Sequence, residues 1–160
     1  NIMWRILRRA VKMVYPKFVD ENVAFSPMPY PEDIPEIAEK FDAVVVLTYE
    51  YELYYDLEEL IKRGVEVLYA PIEDFTAPSL EELLKIVEWI EKKTKEGKKV
   101  LIHCLGGSGR SGTVVTAYLM YAHGFSLREA LAKARSLKPS AVETQEQMEV
   151  LKELEEHLKG

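Results

Sequence analysis

The chain has 160 residues, enough for one sizeable hydrophobic core and too few for two of ordinary size, so a single domain over 1–160 is expected. Its formal charge of −6 argues against nucleic acid as the main partner. No run approaches the ~20 apolar residues of a membrane-spanning helix, and one cysteine cannot form an internal disulfide, so a cytoplasmic monomer without membrane attachment is expected.

Residues 1–17 carry Arg5, Arg8, Arg9, Lys12 and Lys17 without an acid, among Ile2, Trp4, Ile6, Leu7, Val11 and Val14. This basic amphipathic segment is expected to dock its apolar stripe on the domain rather than on a membrane surface. Met3 is expected as the natural start. Side-chain amides are confined to Asn1, Asn22, Gln145 and Gln147 against plentiful Glu and Lys, a bias of heat-adapted organisms.

A strand over 23–25 leads through Pro27, Pro29 and Pro31 to a helix over 35–40. The continuous, mostly β-branched run 43–47 predicts a strand buried on both faces. A helix over 57–62, capped by Gly64, precedes a strand over 65–69. Ser79 and Glu82 form a capping box for a helix to about residue 95, which Gly97 ends, and 99–103 reads as the fourth strand. Helices follow over 111–123, 126–136 and 144–158. The pattern predicts an α/β fold: a small, mostly parallel central sheet of four to five strands flanked by helices, with a helical C-terminal portion. Ligands of such sheets bind beyond the carboxyl ends of the strands, where Asp74 and Cys104 both fall.

Cys104 ends an apolar strand and opens the loop Leu105, Gly106, Gly107, Ser108, Gly109, Arg110, Ser111, after which the helical pattern begins. Glycines let the backbone curl so that successive N–H groups face one point, and such a nest at a helix N-terminus attracts anions. Arg110 adds a planar fork suited to two phosphate oxygens. A thiol at the floor of this nest feels a field that favours thiolate, whereas a lone cysteine at a strand end is otherwise a small buried hydrophobe. Residues 107–112 match the dinucleotide pattern G-x-G-x-x-G in form, but the chain offers no later strand to complete the βαβ unit. The Walker loop fails too, with Cys104 in place of its first glycine and Arg110 in place of its lysine.

His103-Cys104, five residues, then Arg110-Ser111 resembles the signature of the cysteine-dependent protein tyrosine phosphatases, in particular the small dual-specificity and archaeal type. Residues 71–78, with Asp74 between prolines, resemble that family's general-acid loop, and 143–147 resemble its downstream glutamine segment. The resemblance implies hydrolysis of phosphotyrosine, and of phosphoserine or phosphothreonine, in phosphorylated proteins or peptides. It makes Cys104 the nucleophile, Arg110 and the amides from Leu105 to Arg110 the phosphate holders, and Asp74 the general acid and base. Ser111 is implied as a hydrogen-bond partner of the sulfur. The residues leave alternatives open beside these roles: Glu73 as the acid, Ser111 as a plain helix cap, and His103 as a strand histidine that steadies the loop. Gln147 either orients the hydrolytic water or serves only the capping box of Thr144. Glu143 stands where larger family members have a second glutamine. Leu105 and Ser108 occupy positions where phosphoinositide phosphatases of the superfamily carry lysines, and residues 49–56, rich in Tyr and Glu, read either as one pocket wall or, for several of the tyrosines, as ordinary packing. One cysteine and three dispersed histidines suggest neither metal nor cofactor. A phosphate-binding module without turnover, sulfur transfer by the thiolate, and RNA 5′-triphosphate hydrolysis remain as rival functions.

Overall fold

A computed structural model describes residues 2–3 and 16–160. The expected docking of the basic segment therefore lies almost wholly outside the described residues, and Lys17 belongs to a strand instead. Five strands form one sheet: β1 (Lys17–Phe18), β2 (Val23–Ser26), β3 (Ala43–Val46), β4 (Glu66–Tyr69) and β5 (Val100–His103), in the order β1-β2-β5-β3-β4. All neighbours are parallel except β1, which pairs antiparallel with β2. The two-residue β1 carries no alternation to read. It is made by the turn after it, where Asp20 Oδ1 accepts from the N–H groups of Asn22 and Val23 at 2.8 and 2.7 Å.

Among the described residues from 16 on, six α-helices cover the sheet: α1 (Ile34–Lys40), α2 (Leu57–Lys62), α3 (Leu80–Lys95), α4 (Gly109–His123), α5 (Leu127–Leu137) and α6 (Gln145–Lys159). Strand side chains alternate between two cores. Val23, Phe25, Val45, Val100 and Ile102 face α3 to α6, whereas Ala24, Val44, Val46 and Leu101 face Ile34, Ile37, Phe41 and Leu60 around α1 and α2. Covering both faces explains why 43–47 lacks polar alternation. Helix α4 is buried continuously from Gly109 to Met120, at the centre of the larger layer. The capping boxes at Ser79 and Thr144 form as the spacing predicts, and a further one forms at Ser126.

In register, Ser26 and Val46 both stand level with His103, so the carboxyl ends of β2, β3 and β5 open at one edge together. The loop after β4 reaches the same edge: Ala70 N–H donates to the Val46 carbonyl and Ile72 N–H to the Leu47 carbonyl. Among the described residues no helix is long and apolar enough to cross a membrane.

Candidate active site

The loop after β5 turns sharply into α4, and its shape is fixed from outside. Met28 N–H holds the Leu105 carbonyl at 2.9 Å, and Val142 N–H holds the Ser108 carbonyl at 3.1 Å. Gly107 has φ +79°, and a Cβ there would lie 2.7 Å from the Pro27 nitrogen, so left-handed backbone and close approach both demand glycine. A Cβ at Gly109 would collide with Glu143 Oε1 and lie 2.9 Å from Gln147 Nε2. The start of α6 thus sits directly against the start of α4.

Cys104 lies at the floor of this loop, 2 % exposed, and its Sγ accepts from the Gly107 N–H at 3.2 Å. The N–H groups of Leu105, Gly106, Ser108, Gly109 and Arg110 make no hydrogen bond among the described residues. They are free donors in a loop at a helix N-terminus, a setting that suits an oxyanion. Ser111 Oγ is buried and makes no hydrogen bond among the described residues.

Arg110 is buried, and its fork is gripped on one side. Nη1 donates to Glu52 Oε2 at 3.1 Å and to the Ile72 carbonyl at 2.9 Å, and Nη2 donates to Glu52 Oε1 at 3.0 Å. Nη2 also stands 3.5 Å from Asp74 Oδ1. Burial opposes the Arg110 charge, but the Glu52 hydrogen bonds and the charges of Cys104, Glu52 and Asp74 hold the guanidinium above its ordinary range. Burial likewise opposes the Glu52 charge, and the bonds from Arg110 and from Tyr49 N–H overcome it, holding that carboxyl below its ordinary range. Arg110 Nε is buried and has no partner among the described residues, a spare donor for a phosphate oxygen. Glu52 was not singled out by the sequence beyond the wall it belongs to.

Asp74 and Glu73 are separated by their surroundings. Asp74 reaches Arg110 with a side chain 42 % exposed, and Oδ1 also accepts from the Phe75 N–H at 3.0 Å. Glu73 contributes its backbone carbonyl, which accepts from Thr76 Oγ1 at 2.7 Å and closes the turn. His103 is fully buried. Its Nδ1 faces the Cys104 carbonyl at 3.1 Å, and because a carbonyl only accepts, Nδ1 carries the proton and Tyr55 OH donates to Nε2 at 2.7 Å. Burial pushes the imidazole down to about 4, with the Arg110 charge acting in the same direction, so the ring is neutral and steadies the loop.

Gln147 is fully buried and held at both ends of its amide, with one Nε2–H left over. Its Oε1 accepts from the N–H groups of Glu143 and Thr144 at 2.8 and 3.1 Å, and its Nε2 donates to the Thr76 carbonyl at 3.2 Å. The capping box and a tie to the Asp74 loop coexist in one side chain. Glu143 is exposed, with its carboxylate against Gly109. The cradle therefore unites Cys104, Arg110, Asp74 and Glu52, with Gln147 and Glu143 at its rear.

The family model described as dual specificity phosphatase, catalytic domain, matches residues 33–157. The chain belongs to this phosphatase family. The crystal structure of Tk-PTP in the active form superposes with a TM-score of 0.86 at 65 % identity, covering 88 % of this chain and 96 % of that one. The mouse phosphatidylglycerophosphatase and protein-tyrosine phosphatase 1 is 36 % identical over 130 residues, 75 % of this chain. The tyrosine-protein phosphatase CDC14 of Candida albicans is 35 % identical over 88 residues, 55 % of this chain. The matches span only 64 % of the mouse protein and 16 % of the yeast one. The dual-specificity fold and the phosphatase signature thus coincide on the same residues of this chain.

Proposed function

We propose that the chain hydrolyses phosphate monoesters, phosphotyrosine in proteins foremost, through a phosphocysteine. The carrying observation is the convergence on one cradle of the Cys104 sulfur, the buried Arg110 fork and the Asp74 carboxylate, 3.5 Å from that fork. Cys104 Sγ, as thiolate, attacks phosphorus in line; the S–P bond forms as the ester P–O bond breaks, and Asp74 gives its proton to the leaving oxygen. Water then attacks the phosphocysteine, Asp74 takes a proton from it, and the S–P bond breaks to free inorganic phosphate and the thiolate. Throughout, the loop amides and Arg110 Nε hold the equatorial oxygens, donors that need no reorganisation as charge shifts.

The rim supports an aryl substrate. Tyr51 is 83 % and Phe75 61 % exposed, and they adjoin Glu52 and Asp74 in the chain, which supports reading them as aromatic surface at the rim. In the loop itself, Leu105 packs on the smaller core and the Ser108 hydroxyl is bound to Ser140 at 2.6 Å. Neither offers charge to the further phosphates of an inositol headgroup.

Phosphate release from phosphotyrosine, phosphoserine and phosphatidylglycerophosphate substrates, with Cys104→Ser as control, tests the proposal. Release from phosphotyrosine that exceeds the lipid and vanishes in the control supports it. Faster release from phosphatidylglycerophosphate would move the substrate to the lipid class carried by the mouse relative's name. Binding without release from any of them would make the cradle a recognition module.

A further inference from the structure

The segment between α5 and α6 lies against the back of the phosphate loop, and its backbone is strained. Val142 has φ +65°, a left-handed conformation that β-branched residues rarely adopt, while its side chain is buried in the larger core. Arg135 on α5 grips this turn: Nε donates to the Ala141 carbonyl at 2.9 Å and Nη2 to the Val142 carbonyl at 3.1 Å. The turn in turn grips the loop. Val142 N–H donates to the Ser108 carbonyl at 3.1 Å, and the Ser140 and Ser108 hydroxyls share a hydrogen bond of 2.6 Å. A Cβ at position 112 would lie 2.8 Å from the Val142 nitrogen, so α4 admits the turn only through Gly112. Strained backbone persists where its surroundings over-determine it, and these surroundings end on the amide nest.

We propose that Arg135 is a positioning residue for the phosphate loop. By holding two consecutive carbonyls it keeps Val142 left-handed, and Val142 with Ser140 then fixes Ser108 at both its carbonyl and its hydroxyl. Held at two points, the peptides on either side of Ser108 cannot swing their N–H groups away from the phosphate. The hydrogen bonds of Arg135 go to Ala141 and Val142 rather than to Cys104, Arg110 or Asp74, so it acts through the turn alone. The proposal rests on the hydrolytic reading above for its kinetic consequence and on oxyanion binding for an independent one.

Arg135→Ala and Arg135→Lys are compared with the unaltered protein in kcat/KM on a phosphotyrosine peptide and in tungstate affinity by calorimetry, at a temperature where thermal unfolding shows each to be folded. Arg135→Ala should lose about tenfold in both quantities, as small misplacements of a site do, and Arg135→Lys, able to reach one carbonyl, should fall between. Ser140→Ala should lose about threefold alone and add little to Arg135→Ala, since both cut one link. A folded Arg135→Ala protein within about twofold of the unaltered one in both quantities would overturn the proposal, as would losses that multiply in the double variant. If the unaltered protein binds tungstate but releases no phosphate, the hydrolytic reading fails, and the affinity comparison decides this one.

Discussion

Replacing Glu52 with glutamine should destabilise the fold as well as slow the reaction. The Arg110 side chain is 1 % exposed and that of Glu52 14 %, so solvent screens their pair only slightly. Removing one partner of a buried pair costs about 3–5 kcal/mol. Here the Ile72 carbonyl and the Asp74 carboxylate stay within reach of the fork, and glutamine keeps one acceptor, which lowers the expected loss to about 2–3 kcal/mol. At roughly 2–4 °C per kcal/mol for a chain of this size, Tm should fall by about 4–12 °C. Added tungstate, a substitute anion for the fork, should return part of that loss by binding the folded form. The effect should also depend on pH in a definite direction. The Glu52 carboxyl is held below its ordinary 4.5 in the folded chain, so its contribution is full above that value and disappears as pH falls through the lower folded one. The Tm gap between the unaltered protein and Glu52→Gln should therefore close in acid. Differential scanning calorimetry across that range is the assay, and a variant within about 1 °C of the unaltered protein at neutral pH would refute the assignment of Glu52 as the anchor of the fork.

Asp74→Asn should slow phosphate esters of poor leaving groups by about 10²–10⁴-fold and good ones far less, because only the former need protonation; a leaving-group series of aryl phosphates reads this directly, and an unchanged dependence contradicts the role. His103, neutral and held at about 4 where an unfolded imidazole titrates near 6.5, contributes stability that is full above 6.5 and declines as pH falls toward 4, by about 3 kcal/mol. Urea unfolding at either end of that window should show this slope in the unaltered protein and a flatter one in His103→Asn.

The parts of this molecule that sequence made legible are those set by local rules. The run 43–47 announced a strand covered on both faces, Ser79 with Glu82 and Thr144 with Gln147 announced their helices, and the spacing from Cys104 to Arg110 announced the cradle. What escaped depends on partners distant in the chain. Glu52 is one acid among several in an aromatic stretch, and nothing local marks the one that will meet Arg110 across 58 positions. Val142 adopts a backbone that its side chain disfavours, because Arg135, Ser108 and Gly112 together impose it. The bond from the Gly107 N–H to the Cys104 sulfur likewise depends on the left-handed turn of the loop, which the spacing alone does not display.

Rapid-quench trapping with a phosphotyrosine peptide, read by mass spectrometry of the peptide that carries Cys104, tests the covalent account most directly. Phosphate on Cys104 should form and decay with turnover, persist longer in Asp74→Asn, and be absent in Cys104→Ser. Phosphate released at the full rate with no adduct on Cys104 at any time would contradict it.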